Sequence, residues 1–218
     1  MATTPEAYVH LSTDKTTLTF YYDTLRADRN GTTWGIRDWD AFFSCPAWAG
    51  DFNPRSTTVL TAVFDASFRD FRPTTTEGWF YELNLLERIE GLEHLNTSQV
   101  TSMGWMFKGC GSLTSLDLTR FDTSQVTDME EMFSGCGSLT SLDLTCFDTS
   151  KVTDMRGMFY SCESLTTIYC NSSWSARHSD DMFSGCNSLR GAATDVGNSY
   201  DVSMANPETG YFTKKVLS

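Results

Sequence analysis

Residues Val100–Gln125 (VTSMGWMFKGCGSLTSLDLTRFDTSQ) are followed at once by a near-copy, Val126–Lys151 (VTDMEEMFSGCGSLTSLDLTCFDTSK). A third copy opens at Val152 as VTDMRGMFYSCESLTTIYC. A fixed period, with the same step from Val100 to Val126 and on to Val152, means that one supersecondary unit is laid on the next. Each unit touches only its neighbours, which gives a continuous core and long faces of equivalent positions. Such faces suit binding better than they suit a deep catalytic pocket.

The period reaches beyond the obvious copies. Leu60, Leu86, Leu113, Leu139 and Leu165 keep this step, with a single extra residue between Leu86 and Leu113. The pairs Trp79-Phe80, Met106-Phe107, Met132-Phe133 and Met158-Phe159 follow the same course, and Met182-Phe183 comes after a slightly shorter interval. About five coils are therefore expected over residues 58–190. Residues 1–57 read as an N-terminal cap with a β-hairpin (Ala7–Leu11 and Thr17–Tyr22) and an aromatic-rich stretch holding Trp34, Trp39, Phe42, Phe43, Trp48 and Phe52. Residues 191–218 read as a C-terminal cap that closes on GYFTKK.

Within a coil, Leu116 and Leu118 alternate with Ser115, Asp117 and Thr119, the period of a strand with one buried face. Val126, Met129, Met132 and Phe133 then recur at helical spacing over barely two turns. Thr127 with Glu130 matches a capping box, and Gly135 offers a stop. The fold class expected is an α/β repeat solenoid, leucine-rich-repeat-like. Short parallel strands would form one face and short helices or 3-10 turns the other.

Cys110, Cys136 and Cys162 occupy one column of the repeat, and Cys186 continues it after the same shortened interval. A small apolar side chain is wanted there, so a ladder of reduced, buried thiols is expected. No CxxC pair points to zinc. Cys45, Cys146 and Cys170 break the pattern. A net charge of -12 argues against binding a phosphate backbone, so no nucleic-acid partner is expected. No apolar run approaches the roughly 18 residues of a membrane helix, and the start MATTPEAYVH carries no signal-peptide pattern.

The LxxLxL pattern, the fixed repeat step and the phrase FDTSxVTDMxxMFxxC together resemble the BspA-like leucine-rich repeat family of bacterial surface proteins. The lead-in IEGLEHLNTSQVTSM and the ending GYFT resemble segments of the same family. The resemblance implies a leucine-rich-repeat-like solenoid, an extracellular or cell-surface location, and a role in attachment or host-protein binding. It implies no catalytic residue and no cofactor.

The candidate binding face is the polar side of the strands: Ser115, Asp117 and Thr119; Ser141, Asp143 and Thr145; Thr167, Tyr169 and Asn171. Trp105, which aligns with Glu131 and Gly157, joins it from the other side of the coil. For each residue alone the plainer reading is a solvated outward position, or for Trp105 cover by the N-terminal segment. The partner expected is a host or bacterial surface protein. A glycan on the N-terminal aromatics, beside Asp38, Asp40 and Asp51, is the alternative, against which stands their use in sealing the core. A structural spacer is the third reading. An enzyme is not expected: His10, His94 and His178 lie in no GxSxG, HExxH or P-loop context. Asp117 with Asp143 offers oxygen ligands to calcium, but the pattern contains no pocket to complete such a shell.

Overall fold

The computed structural model describes residues 4–40, 45–49, 58–192 and 199–216. The expected hairpin forms as β1 (Glu6–Leu11) and β2 (Thr17–Asp23), antiparallel with Val9 opposite Phe20. Strand β3 (Thr32–Gly35) pairs with β1 on the far side. A small ribbon joins β4 (Trp39–Asp40) to β5 (Cys45–Pro46). Strands β6 (Thr61–Phe64) and β7 (Arg88–Glu90) add in parallel beside β2, so the hairpin and the first coils share one five-stranded sheet ordered β3-β1-β2-β6-β7. A separate three-stranded parallel sheet holds β8 (Ser141–Asp143), β9 (Thr167–Tyr169) and β10 (Phe212–Thr213), with β9 central.

An α/β, leucine-rich-repeat-like solenoid is not what forms. No α-helix occurs among the described residues, only four short 3-10 turns, and the strands fall into separate sheets instead of one ladder through all coils. The segments read as helices are runs of consecutive turns. The cause lies in where the backbone N–H groups go. Met103, Trp105, Phe107 and Gly109 donate to the carbonyls of Asp128, Glu130, Met132 and Ser134 in the next coil, at 2.8–2.9 Å. The alternate residues Met106, Lys108 and Cys110 donate to Met103, Trp105 and Phe107 of their own coil, closing tight turns. An α-helix commits every N–H internally. Here half of them are spent laterally, so stacking replaces helicity.

Two left-handed backbone positions per coil produce this alternation. One is filled by Gly78, Trp105, Glu131, Gly157 and Asp181, and the other by Glu82, Gly109, Gly135, Ser161 and Gly185, with φ between +48° and +80° throughout. The capping box does not form either. Thr127 Oγ1 donates to the Thr101 carbonyl of the preceding coil, while the Asp128 carboxylate accepts from the Glu130 N–H.

The core runs the length of the stack. Phe80, Phe107, Phe133, Phe159 and Phe183 stack face to face, with successive ring centroids 5.4–5.7 Å apart and planes within 11°. Val126, Met129, Met132, Leu139, Leu142 and Leu144 are buried with them. Cys110, Cys136 and Cys162 are free and buried, each donating to a phenylalanine carbonyl of the coil before at 3.1 Å. A second internal ladder comes from the DTS segments. Thr97 and Thr123 are buried, and their hydroxyls donate to the Asp122 and Asp148 carbonyls and accept from the same residues' N–H groups.

Candidate functional site

Two long faces flank the core. On the strand face, Ser115, Asp117 and Thr119 are exposed, as are Ser141 and Thr145, while Asp143, Thr167 and Tyr169 are half-buried. Asp117 accepts from the N–H and hydroxyl of Thr119, and Asp143 accepts the same pair from Thr145. Asp143 also forms an ion pair with Lys215 of the C-terminal segment. Partial burial pulls the Asp143 carboxyl upward, but the bonds from Lys215 and Thr145 outweigh it and hold it below the ordinary value. Asn171 is exposed, yet its amide oxygen accepts from the Lys215 N–H at 2.8 Å. Asp143 and Asn171 therefore serve in part to dock β10 against β9.

The turn face carries the stronger charge contrast. Isolated parallel bridges link Thr75, Ser102, Asp128, Asp154 and His178 across five coils. Beside this row Arg156 bonds to Asp154 at 2.7 Å and to Glu130 at 3.0 Å, and Lys108 pairs with Glu131. A groove of about 320 Å³ opens here, walled by Glu130, Glu131, Arg156, Tyr160, Asp180 and Asp181. Tyr160 stands 45% exposed at its edge. Glu77, further along the face, is pushed above its ordinary value by partial burial, then by the charges of Asp128 and Glu130. Trp105 sits half-buried on this face with φ +57°, and its indole Nε1 is buried with no hydrogen-bond partner among the described residues. The strand-face residues and Trp105 thus lie on different sides of the coil.

Of the N-terminal aromatics, Trp48 and Trp79 are buried against Phe20, while Trp34 is half-buried. Trp39 is exposed and lines a groove of about 90 Å³ with Arg37 and Arg72, well under the size of ordinary ligand pockets. Phe42, Phe43, Phe52 and Asp51 lie outside the described residues. His10 meets the Asn30 carbonyl at 2.7 Å, and His94 lies 3.8 Å from Glu93. His178 belongs to the bridge row of the turn face. These three histidines are spread over three separate surroundings. Sequence reasoning missed the turn-face groove. Its trace is a repeat column that changes charge while the methionines two positions on (Met106, Met132, Met158, Met182) stay fixed: Gly104, Glu130, Arg156, Asp180.

A stack of turn-built coils with a repeated FDTSxVTDMxxMF phrase defines a repeat protein whose side chains are displayed in columns. Residues 74–198, more than half of the chain, match the family described as Mycoplasma protein of unknown function, DUF285, and the chain belongs to that family. A leucine rich cell surface protein from Faecalibacterium prausnitzii A2-165 is similar at 16% identity with a TM-score of 0.39. The match covers 85% of this chain and spans 52% of that one. No curated relative matches the sequence. No helix among the described residues is long and apolar enough to cross a membrane.

Proposed function

We propose that this chain is a non-enzymatic, BspA-like surface module that recognises a partner protein through the turn face of its coils. One observation carries the reading: Tyr160 stands exposed beside a groove whose walls alternate Glu130, Glu131, Asp180 and Asp181 with Arg156. Exposed tyrosine and arginine are enriched among the side chains that anchor interfaces, since each offers contact area and a polar handle. The surplus of carboxylates favours a partner presenting lysine or arginine and speeds encounter at low salt. The strand face is the lesser candidate, because Asp143 and Asn171 are engaged by the C-terminal segment. A cell-surface setting is supported by the family-like phrase FDTSxVTDMxxMFxxC.

Capture of extracellular matrix proteins by immobilised chain, compared with Tyr160→Ala and Asp181→Lys variants of unchanged melting temperature, tests this. A partner retained by the wild type and lost by about ten-fold or more in either variant supports it. Equal capture by all three, or none, refutes the assignment of this face.

A further inference from the structure

Cys186 ends the sulfur ladder, and its surroundings differ from those of the three thiols before it. Cys110, Cys136 and Cys162 are sealed in the core, whereas Cys186 is half-buried on the wall of a cavity of about 120 Å³. Phe183, Asn187, Leu189, Arg190, Tyr200 and Tyr211 complete that wall. The final step of the repeat, from Cys162 to Cys186, is also shorter than the step from Cys136 to Cys162. Cys186 donates to the Phe159 carbonyl at 2.9 Å, the same carbonyl that the Cys162 N–H meets at 3.1 Å. The coils carrying the two are held in register by Phe159 N–H to the Met182 carbonyl and Ser161 N–H to the Ser184 carbonyl, at 2.9 and 2.8 Å. A Cβ built on Gly185 would lie 3.0 Å from the Ser161 Cα, and backbones bonded in this way run about 4.8 Å apart, inside the span a disulfide bridges.

We propose that Cys186 is a hydroperoxide-oxidisable thiol whose resolving partner is Cys162, so that the last two coils become cross-linked by an internal disulfide. The Cys186 thiolate attacks the terminal oxygen of the hydroperoxide. The O–O bond breaks, the alcohol or water leaves, and Cys186 becomes a sulfenic acid. The Cys162 sulfur then attacks the Cys186 sulfur and the S–O bond breaks. Hydroxide departs with the Cys162 proton as water, and the S–S bond forms. The two sulfurs together lose two electrons, and the hydroperoxide gains them. Arg190, on the wall of the cavity, donates to the Asn187 and Leu189 carbonyls at 3.2 Å. The contact with Cys162 lowers the Cys186 pKa, while the same contact, then burial, raises that of Cys162. Cys186 faces the cavity while Cys162 is sealed behind it, so reactive and resolving roles fall on different sulfurs. Cys146, exposed, donates to the Leu118 carbonyl, and Cys170, buried, donates to the Ser172 carbonyl; they are the competing pair.

The test treats the reduced, folded full chain with hydrogen peroxide, blocks remaining thiols and maps peptides by mass. The expected product lacks two hydrogens and joins the Cys162 and Cys186 peptides, with Cys186 consumed about ten-fold or more faster than Cys110 or Cys136. Cys162→Ser should leave a Cys186 sulfenic acid that dimedone captures. Cys186→Ser should form no disulfide through Cys162. Should Cys162→Ser fail to fold, early dimedone capture at Cys186 in the wild type decides the same point. An unreacted Cys186, a Cys146–Cys170 product formed first, or over-oxidation of Cys186 without the disulfide would each overturn the proposal.

Discussion

The indole Nε1 of Trp48 donates to the carbonyl of Trp79 at 2.9 Å. Along the stack, the carbonyls equivalent to that of Trp79 belong to Met106, Met132, Met158 and Met182, each of which accepts from the coil before it: from Phe80, Phe107, Phe133 and Phe159. Ahead of Trp79 the N-terminal segment takes the place of a coil, so a tryptophan supplies the missing donor. At the other end the Phe183 N–H donates to the Tyr200 carbonyl at 2.9 Å, closing the series. Trp48→Phe keeps an aromatic ring but leaves a buried carbonyl unpaired, which should cost about 1–3 kcal/mol. Trp48→Ala adds a void and should cost about 3–5 kcal/mol. Urea midpoints measured at constant slope give both numbers. A phenylalanine variant as stable as the wild type would show that the indole N–H caps nothing.

Phe133 lies between Phe107 and Phe159 at centroid distances of 5.6 and 5.7 Å, fully buried. Truncation to alanine should cost about 3–5 kcal/mol, because both neighbours lose a ring face and the coils are held apart by their own hydrogen bonds. Tyr160→Ala, on the exposed face, should stay within about 0.5 kcal/mol of the wild type. Chemical denaturation of the pair tests which of the two aromatic side chains belongs to the core.

The inward side of this architecture was readable in the letters, and the backbone was not. The constant repeat step places Phe80 to Phe183 and the three inner cysteines in columns, because a buried column admits few residue types. The left-handed turn positions were hidden. Only some coils fill them with glycine, while Trp105, Glu131, Asp181, Glu82 and Ser161 hold the same φ without it. Without that signal, Val126, Met129, Met132 and Phe133 give the spacing of a helix. The Thr97 and Thr123 ladder was equally hidden, since a threonine in a DTS turn looks alike whether it caps its own turn or bonds across coils. The docking of Lys215 on Asp143 spans 72 residues and no local pattern announces it.

Stability should respond to pH in opposite senses at two carboxyls. Glu77 is raised above its ordinary 4.5 by partial burial and by the charges of Asp128 and Glu130. The folded state thus holds this proton more tightly than the unfolded chain. Its contribution is complete below the unfolded value and is lost as pH rises through the folded one. Glu77→Gln should therefore raise the melting temperature at pH 7 and change little near pH 3.5. Asp143 is lowered below 3.8, partial burial being outweighed by Lys215 and Thr145. Its contribution is present above that value and lost as pH falls through the folded one. Asp143→Asn should lower the melting temperature at pH 7 and converge on the wild type in acid. Melting curves of the three proteins from pH 3 to 8 check both signs.

The turn geometry makes one further demand, at Ser161. Its φ of +55° matches the +77°, +73° and +80° of Gly109, Gly135 and Gly185 in the same column. A side chain in the left-handed region costs roughly 1–2 kcal/mol through the clash of Cβ with the following carbonyl. Glycine removes that cost but gives the unfolded chain more freedom, which returns part of the gain. Ser161→Gly should therefore stabilise the chain by about 0.5–1 kcal/mol. Gly135→Ala runs the other way. A Cβ built there meets the Gly109 Cα and N at 3.5 Å, an ordinary contact, so the penalty is one of backbone conformation and not of space. It should come to about 1–2 kcal/mol. An alanine variant that unfolds at the wild-type urea concentration would mean that this column does not require the left-handed turn, and the account of why these segments are not helical would fail with it.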